Sequence, residues 1–371
     1  MADPAPLSFR LAAAERTGTM PNVTKTLIRT ALEALYFSGA HAILSPLYRG
    51  VGAVLMLHHV RPPRFEKFQP NRMLEIVPSF LEAVVTMLRD SDIDLVSLDE
   101  MHRRLTERDF RRRFACLTLD DGYRDNKDWA YPILKRHKVP FAIYVPTSFP
   151  DRLGILWWIM LEQVIANAKT VGVVIDGAPY RLSCETVAEK REIYDKLYWW
   201  LRSLPTNEAI LGFVSELARR YGVDAAALCE ENCMSWKEIA EMARDPLITI
   251  GSHTVNHVIL SKASDAAARS EIKMGRAVLQ AALGAMPEHF AYPIGDATTA
   301  GPREFEAARE AGFKTAVTTR PGVLFEDHAE HLLALPRLSL NGEFQRERYV
   351  QVLLSGTGTA MWNGFRRLNV A

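Results

Sequence analysis

Short apolar runs alternate with helical stretches along most of this chain, and that rhythm constrains its fold more than any single motif. Runs at 53–57, 95–96, 115–119 and 141–145 read as strands, with helical spacing at 80–88 and 98–105 between them. After residue 245 the alternation resumes, with strands at 247–250, 289–292 and 315–318 and helices at 266–282 and 303–311. Parallel strands need helical crossovers, so a strand–helix series of this kind builds a parallel sheet or barrel. No repeat of fixed period and no low-complexity tract competes with that reading.

One region breaks the rhythm. Residues 151–233 carry Trp157-Trp158, a hairpin signal at Asp176-Gly177, and helical segments with Trp199-Trp200 and 210–221, which reads as a mostly helical insertion between two strands. Ser235-Trp236-Lys237-Glu238 is a capping box that starts the next helix. The expected organisation is therefore a leader and helix at 1–50, a barrel at 51–345 interrupted by 151–233, and a C-terminal segment at 346–371. A chain of 371 residues with 48% hydrophobic content has room for such a core.

Two polar motifs follow strand signals. Leu117-Thr118-Leu119-Asp120-Asp121-Gly122 ends one apolar run, and Gly251-Ser252-His253-Thr254-Val255-Asn256-His257 ends another. Taken singly, paired aspartates are ordinary turn or cap residues, and one HxxxH is a frequent accident. Taken together, a carboxylate and two imidazoles make a donor set for a divalent ion with an open position, and one aspartate remains to take a water's proton. Barrels keep their chemistry at the carboxyl ends of their strands.

Charge and cysteine usage narrow the class. The formal net charge of +1 leaves no global basic footprint for nucleic acid. Arg103-Arg104 and Arg111-Arg112-Arg113 read as a solvated helix face or loop rather than a phosphate site. Four cysteines, Cys116, Cys184, Cys229 and Cys233, are too sparse for a disulfide framework, and Cys229 with Cys233 lacks the partners of a structural zinc site. The N-terminus lacks the usual secretion pattern, and Met20 is an alternative start with a disordered leader before it. Residues 24–37 have helical apolar spacing, which favours packing on the core over lying on a membrane surface. A cytoplasmic location, with peripheral membrane contact through this helix as the alternative, is the expectation.

The chain resembles the polysaccharide deacetylase family, which includes the nodulation-type chitooligosaccharide deacetylases. The resemblance rests on Val54-Leu55-Met56-Leu57-His58-His59-Val60, on Leu117 to Asn126, on Ile250 to His257 and on Phe290-Ala291-Tyr292-Pro293-Ile294-Gly295. Leu335-Pro336-Arg337 adds a weaker fifth stretch. It implies a distorted (β/α)7 barrel and metal-dependent hydrolysis of N-acetyl groups on amino-sugar oligo- or polysaccharides. It further implies Asp120 as base, Asp121, His253 and His257 as ligands of a divalent ion (Zn2+ first, then Co2+, Ni2+ or Mn2+), and the Ile294 backbone N–H as oxyanion donor. Tyr292, Arg337, Trp157 and Trp158 are the expected substrate contacts.

The chain also departs from that family. Ala291 stands where many members have an arginine that orients the base, and Arg337 is the candidate to replace it. The family's late Leu-x-His, whose histidine protonates the departing amine, has as its counterpart Val352-Leu353-Leu354-Ser355-Gly356, with Ser355 at the histidine's place. His58 is then the first candidate for the acid. The alternatives are hydrolysis of another small amide or an O-acetyl ester by the same machinery, or a slow or inactive glycan-binding member.

Overall fold

Seven parallel strands close into a ring: β1 (Gly52–Leu57), β2 (Arg113–Leu119), β3 (Phe141–Val145), β4 (Ile248–Ser252), β5 (His289–Ala291), β6 (Thr315–Pro321) and β7 (Leu335–Ser339). Each strand from β2 to β7 neighbours the next, and β1 pairs with both β7 and β2. The chain is thus a (β/α)7 barrel, as expected. This computed structural model describes residues 22–370, with side chains over 24–370. The leader expected before Met20 lies outside the described residues. The short strand Ile93–Leu95 joins the first half of β2, while β3 pairs with its second half. The seventh strand carries no strand signal of its own, because Pro336 cannot donate to a ladder and interrupts the run.

Alternation along the strands decides what faces inward. Ala53, Leu55 and Leu57 of β1 join the outer core with Leu117, Leu119 and Leu338, under the helix Pro78–Arg89 through Phe80, Leu81, Val84, Val85 and Leu88. Val54 gathers instead with Cys116, Tyr144, Ala291, Val317 and Leu335 from around the ring, so these fill the barrel. Burying each large aliphatic chain contributes roughly 1.5–3 kcal/mol. By the same parity Thr118 and Asp120 on one strand, and Arg337 on another, point into the carboxyl end of the barrel.

The inserted region builds its own apolar cluster. Helix Trp157–Asn167 leads to a hairpin, Thr170–Ile175 with Ala178–Ser183, whose turn residues Asp176 and Gly177 are both left-handed, at φ 52° and 79°. Helices Val187–Ser203, Asn207–Arg220 and Ala225–Asn232 follow. Ser235 and Glu238 form the capping box reciprocally.

The terminal helices pack on each other. Helix Asn22–Phe37 lays Leu32 against Tyr349 and Val352, and its Glu33 takes hydrogen bonds from Arg348 and Tyr349 of helix Glu347–Leu354. Core packing therefore accounts for the helical spacing at 24–37. No helix among the described residues is long and apolar enough to cross a membrane. The arginine clusters are engaged locally: Arg103 pairs with Glu100, Glu107 and Asp109, and Arg113 donates to the carbonyls of Arg49 and Leu354.

Candidate active site

The two aspartates that end β2 face different partners. Asp120 keeps the inward parity of Thr118, and its backbone N–H donates to the Leu57 carbonyl at 2.9 Å, which locks it beside the end of β1. Its carboxylate is gripped from both sides by Arg337, Nη1 to Oδ1 at 2.7 Å and Nη2 to Oδ2 at 2.6 Å. Arg337 is itself fixed by the Thr318 carbonyl at 2.8 Å and the Thr118 hydroxyl at 3.1 Å. Burial alone would raise the Asp120 pKa. The Arg337 guanidinium outweighs it and holds the carboxyl below its ordinary value, so the group stands ionised and oriented.

Asp121 has φ 70°, a left-handed conformation that turns its side chain off the strand's alternation and toward β4. Its Oδ1 lies 3.5 Å from His253 Nε2 and 3.2 Å from His257 Nε2. Burial again pushes its pKa up, but the imidazoles of His257 and His253 hold it well below the usual carboxylate range. His253 donates from Nδ1 to the Ala291 carbonyl at 2.7 Å, which fixes the ring with Nε2 aimed at Asp121. His257, at φ 53°, is placed by its own N–H on the Thr254 hydroxyl at 3.0 Å, with Thr254 at φ 67°.

These three residues fit a divalent cation. One ligand atom from each of Asp121, His253 and His257 lies within 4.8 Å of the others. Asp121 Oδ1 is buried without a hydrogen-bond donor, and a carboxylate with two imidazoles suits zinc and the other late divalent ions.

Supporting contacts come from residues that the motifs do not announce. Glu271, on helix Asp265–Leu283, accepts the backbone N–H groups of Val255 and Asn256 and the Asn256 side-chain amide, tying down the Thr254–His257 turn. Gly275 of that helix permits the approach, since a Cβ there would stand 2.8 Å from the Thr254 carbonyl carbon. No local pattern marks Glu271, because its contact spans a loop. Tyr123 takes the Trp158 indole N–H at 3.2 Å, and burial first, then the Asp121 charge, raises its pKa well above the phenol's ordinary value.

His58 follows β1 on the inward parity, partly exposed, with Nε2 at 3.9 Å from Asp120 Oδ2. Its backbone carbonyl accepts from Asn126 at 2.7 Å. Burial lowers its pKa, opposed by the charges of Asp120 and Asp121. His59 points elsewhere, paired with Asp125 at 2.7 Å and stacked on Tyr123. Ile294 has φ 62°, and its carbonyl accepts from the Thr319 hydroxyl at 2.7 Å. Asp296, two residues on, is paired at 2.8 Å with Arg202 of the insertion, whose guanidinium also lies over Trp199.

Four expectations are corrected. Tyr292 faces outward into the packing around Phe290 and donates to the Leu333 carbonyl, so it presents nothing to a substrate. Trp157 and Trp158, 4% and 6% exposed, are core residues of the insertion rather than open platforms, with Trp158 5.0 Å from His257 between ring centres. Arg337 sits behind Asp120, in the place of a positioning group and not of a substrate contact. Ser355 closes helix Glu347–Leu354 by donating to the Val352 carbonyl, and the neighbouring Leu354 carbonyl is bonded by Arg113 at the opposite end of β2 from Asp120.

Residues 206–316 match the family model described as Polysaccharide deacetylase. That stretch includes both histidines and the Ile294 loop, while Asp120 and Asp121 precede it. No curated protein matches the chain. Among solved structures, the deacetylase PplD of Streptococcus pyogenes, in complex with acetate, is similar at 19% identity and a TM-score of 0.53, over 78% of this chain and 92% of that one. IcaB from Ammonifex degensii is similar at 20% identity and 0.50, over 82% and 96%. A polysaccharide deacetylase from Bacillus cereus is similar at 16% identity and 0.50, over 81% and 68%. At these identities the likeness is one of fold.

Proposed function

The chain belongs to the polysaccharide deacetylase family and is a hydrolase of amide carbon–nitrogen bonds, and on that premise we propose that it removes N-acetyl groups from amino-sugar saccharides in a metal-dependent reaction. The observation that carries this reading is the division of labour between adjacent carboxylates, Asp120 on Arg337 and Asp121 facing His253 and His257. Asp121, His253 and His257 would hold the ion, which supplies Lewis-acid polarisation of the acetamide carbonyl and makes water more acidic.

Asp120 accepts the proton of the attacking water. Arg337 keeps both carboxylate oxygens in one orientation, so this base needs no rearrangement before it acts. The backbone N–H of Ile294, whose residue stands in a left-handed turn, serves as donor to the oxygen that becomes negative in the tetrahedral intermediate. His58, beside Asp120, relays the proton to the departing amine. Acetate release from short N-acetylglucosamine oligomers and a lipid-linked precursor, with zinc, cobalt or nickel supplied, tests the reading. Turnover that needs the ion is expected; no release from a broad amino-sugar panel would overturn it.

A further inference from the structure

Helix Ala40–Tyr48 has no buried residue, and Ile43, 76% exposed, stands with Leu47 on its open face. Helix Thr357–Trp362 packs beside it and exposes Met361 and Trp362, followed by Phe365, 60% exposed, whose ring lies 6.0 Å from that of Tyr48. The backbones meet closely: a Cβ at Gly356 would strike the Tyr48 carbonyl. Two segments distant in sequence thus build one apolar face with two large aromatic rings on it.

The two segments that build this face carry only basic charge. Residues 38–50 and 353–371 contain no aspartate or glutamate, in a chain that holds 44, and they carry Arg49, Arg366 and Arg367. All three arginines are exposed. Exposed aliphatic and aromatic groups rimmed by arginine, with no acid among them, have the chemistry of a surface that enters a bilayer interface and meets anionic headgroups.

We propose that this face docks the protein on an anionic phospholipid bilayer, lying on the membrane without crossing it. The first helix, Asn22–Phe37, packs against helix Ala40–Tyr48 and is engaged with Arg348, Tyr349 and Glu343. Arg113, the first residue of β2, bonds the carbonyls of Arg49 and Leu354, whereas Asp120 follows the last residue of the same strand. The docking face therefore lies at the amino end of the barrel, about 20 Å along β2 from the site. Docked in this way, the site opens away from the lipid, toward a saccharide that extends from the surface rather than a sugar next to a headgroup.

Flotation of the full chain with vesicles of phosphatidylcholine, alone or with phosphatidylglycerol, tests this independently of any activity. Binding to the anionic vesicles only is expected, with loss at about 1 M salt, where screening acts within about 3 Å. Arg366→Gln and Arg367→Gln should each weaken binding about fivefold, and Ile43→Ser with Trp362→Ser should abolish it. Brominated acyl chains should quench part of the tryptophan emission in the wild type and not that part in Trp362→Ser. Far-UV circular dichroism of each variant checks the fold. Absence of vesicle binding, equal binding to neutral vesicles, or binding unaffected by these substitutions would overturn the proposal. So would a concentration-dependent dimer dissolved by Trp362→Ser in a protein that ignores vesicles, because the occupant would then be a second copy.

Discussion

The two ends of this barrel are built on opposite principles. At the carboxyl end, Asp121, Thr254, His257 and Ile294 are all non-glycine residues in left-handed backbone, and Asp120, Asp121, His253 and Arg337 are charged or titratable groups taken out of water. At the amino end, Arg113 satisfies the carbonyls of Arg49 and Leu354, Ser355 closes a helix, and glycine at 356 relieves the tightest backbone contact. Left-handed non-glycine backbone costs of order 1–3 kcal/mol per residue and persists where packing over-determines it. Left-handed non-glycine backbone also occurs at the amino end, at Arg108, Lys138 and Phe365, so it is the buried charge beside such backbone that marks where the chain has been shaped for reaction, whereas exposed apolar rings at the other end mark a surface.

The sharpest break of that contrast comes from Arg337→Met. Asp120 would remain buried without its counter-charge, so a loss of about 3–5 kcal/mol in urea unfolding is expected, together with loss of deacetylation. Unchanged stability would mean that Asp120 is not held ionised in the interior. A change of similar type on the positioning side is His58→Asn. It should lower kcat by about 100-fold with KM nearly unchanged in steady-state kinetics, the pattern of a lost proton transfer; a KM effect alone would make His58 a binding group.

Both residues show what the sequence made legible. The strand parity that places Asp120 inward is visible in Phe114, Cys116 and Thr118, and the two motifs announce the ligand trio. Arg337 was legible only as a replacement for a missing arginine, because Pro336 disguises the strand that carries it. Tyr292 and the Trp157–Trp158 pair were misplaced for one reason: aromatic residues beside a site motif say nothing about which way they face until the helices packed on them are known. Glu271 and Arg202 lay out of reach, since each acts across a loop on backbone or charge that no local pattern marks.

The amino end has its own titrating group. His328 is fully buried, accepts the Phe325 N–H at Nδ1, and burial lowers its pKa to about 4 from an ordinary 6.5. The folded protein thus prefers the neutral ring. Its contribution, about 3 kcal/mol, is complete above pH 6.5 and is lost as pH falls from there toward 4. Urea unfolding at several pH values should show that slope in the wild type and a shallower one in His328→Gln.

The smallest expected effect joins the insertion to the site. Arg202→Gln removes the charge that pins Asp296 and loosens the Ile294 loop, so a fall in kcat of about tenfold is expected, with little change in thermal midpoint. An unchanged kcat would confine Arg202 to packing of the insertion.

The central claim is that two neighbouring carboxylates do different work, and metal content measured beside turnover tests it most directly. Asp120→Asn should bind one divalent ion as the wild type does and release no acetate, whereas Asp121→Asn should lose both ion and activity. Loss of the ion in Asp120→Asn, or wild-type ion affinity in Asp121→Asn, would contradict it.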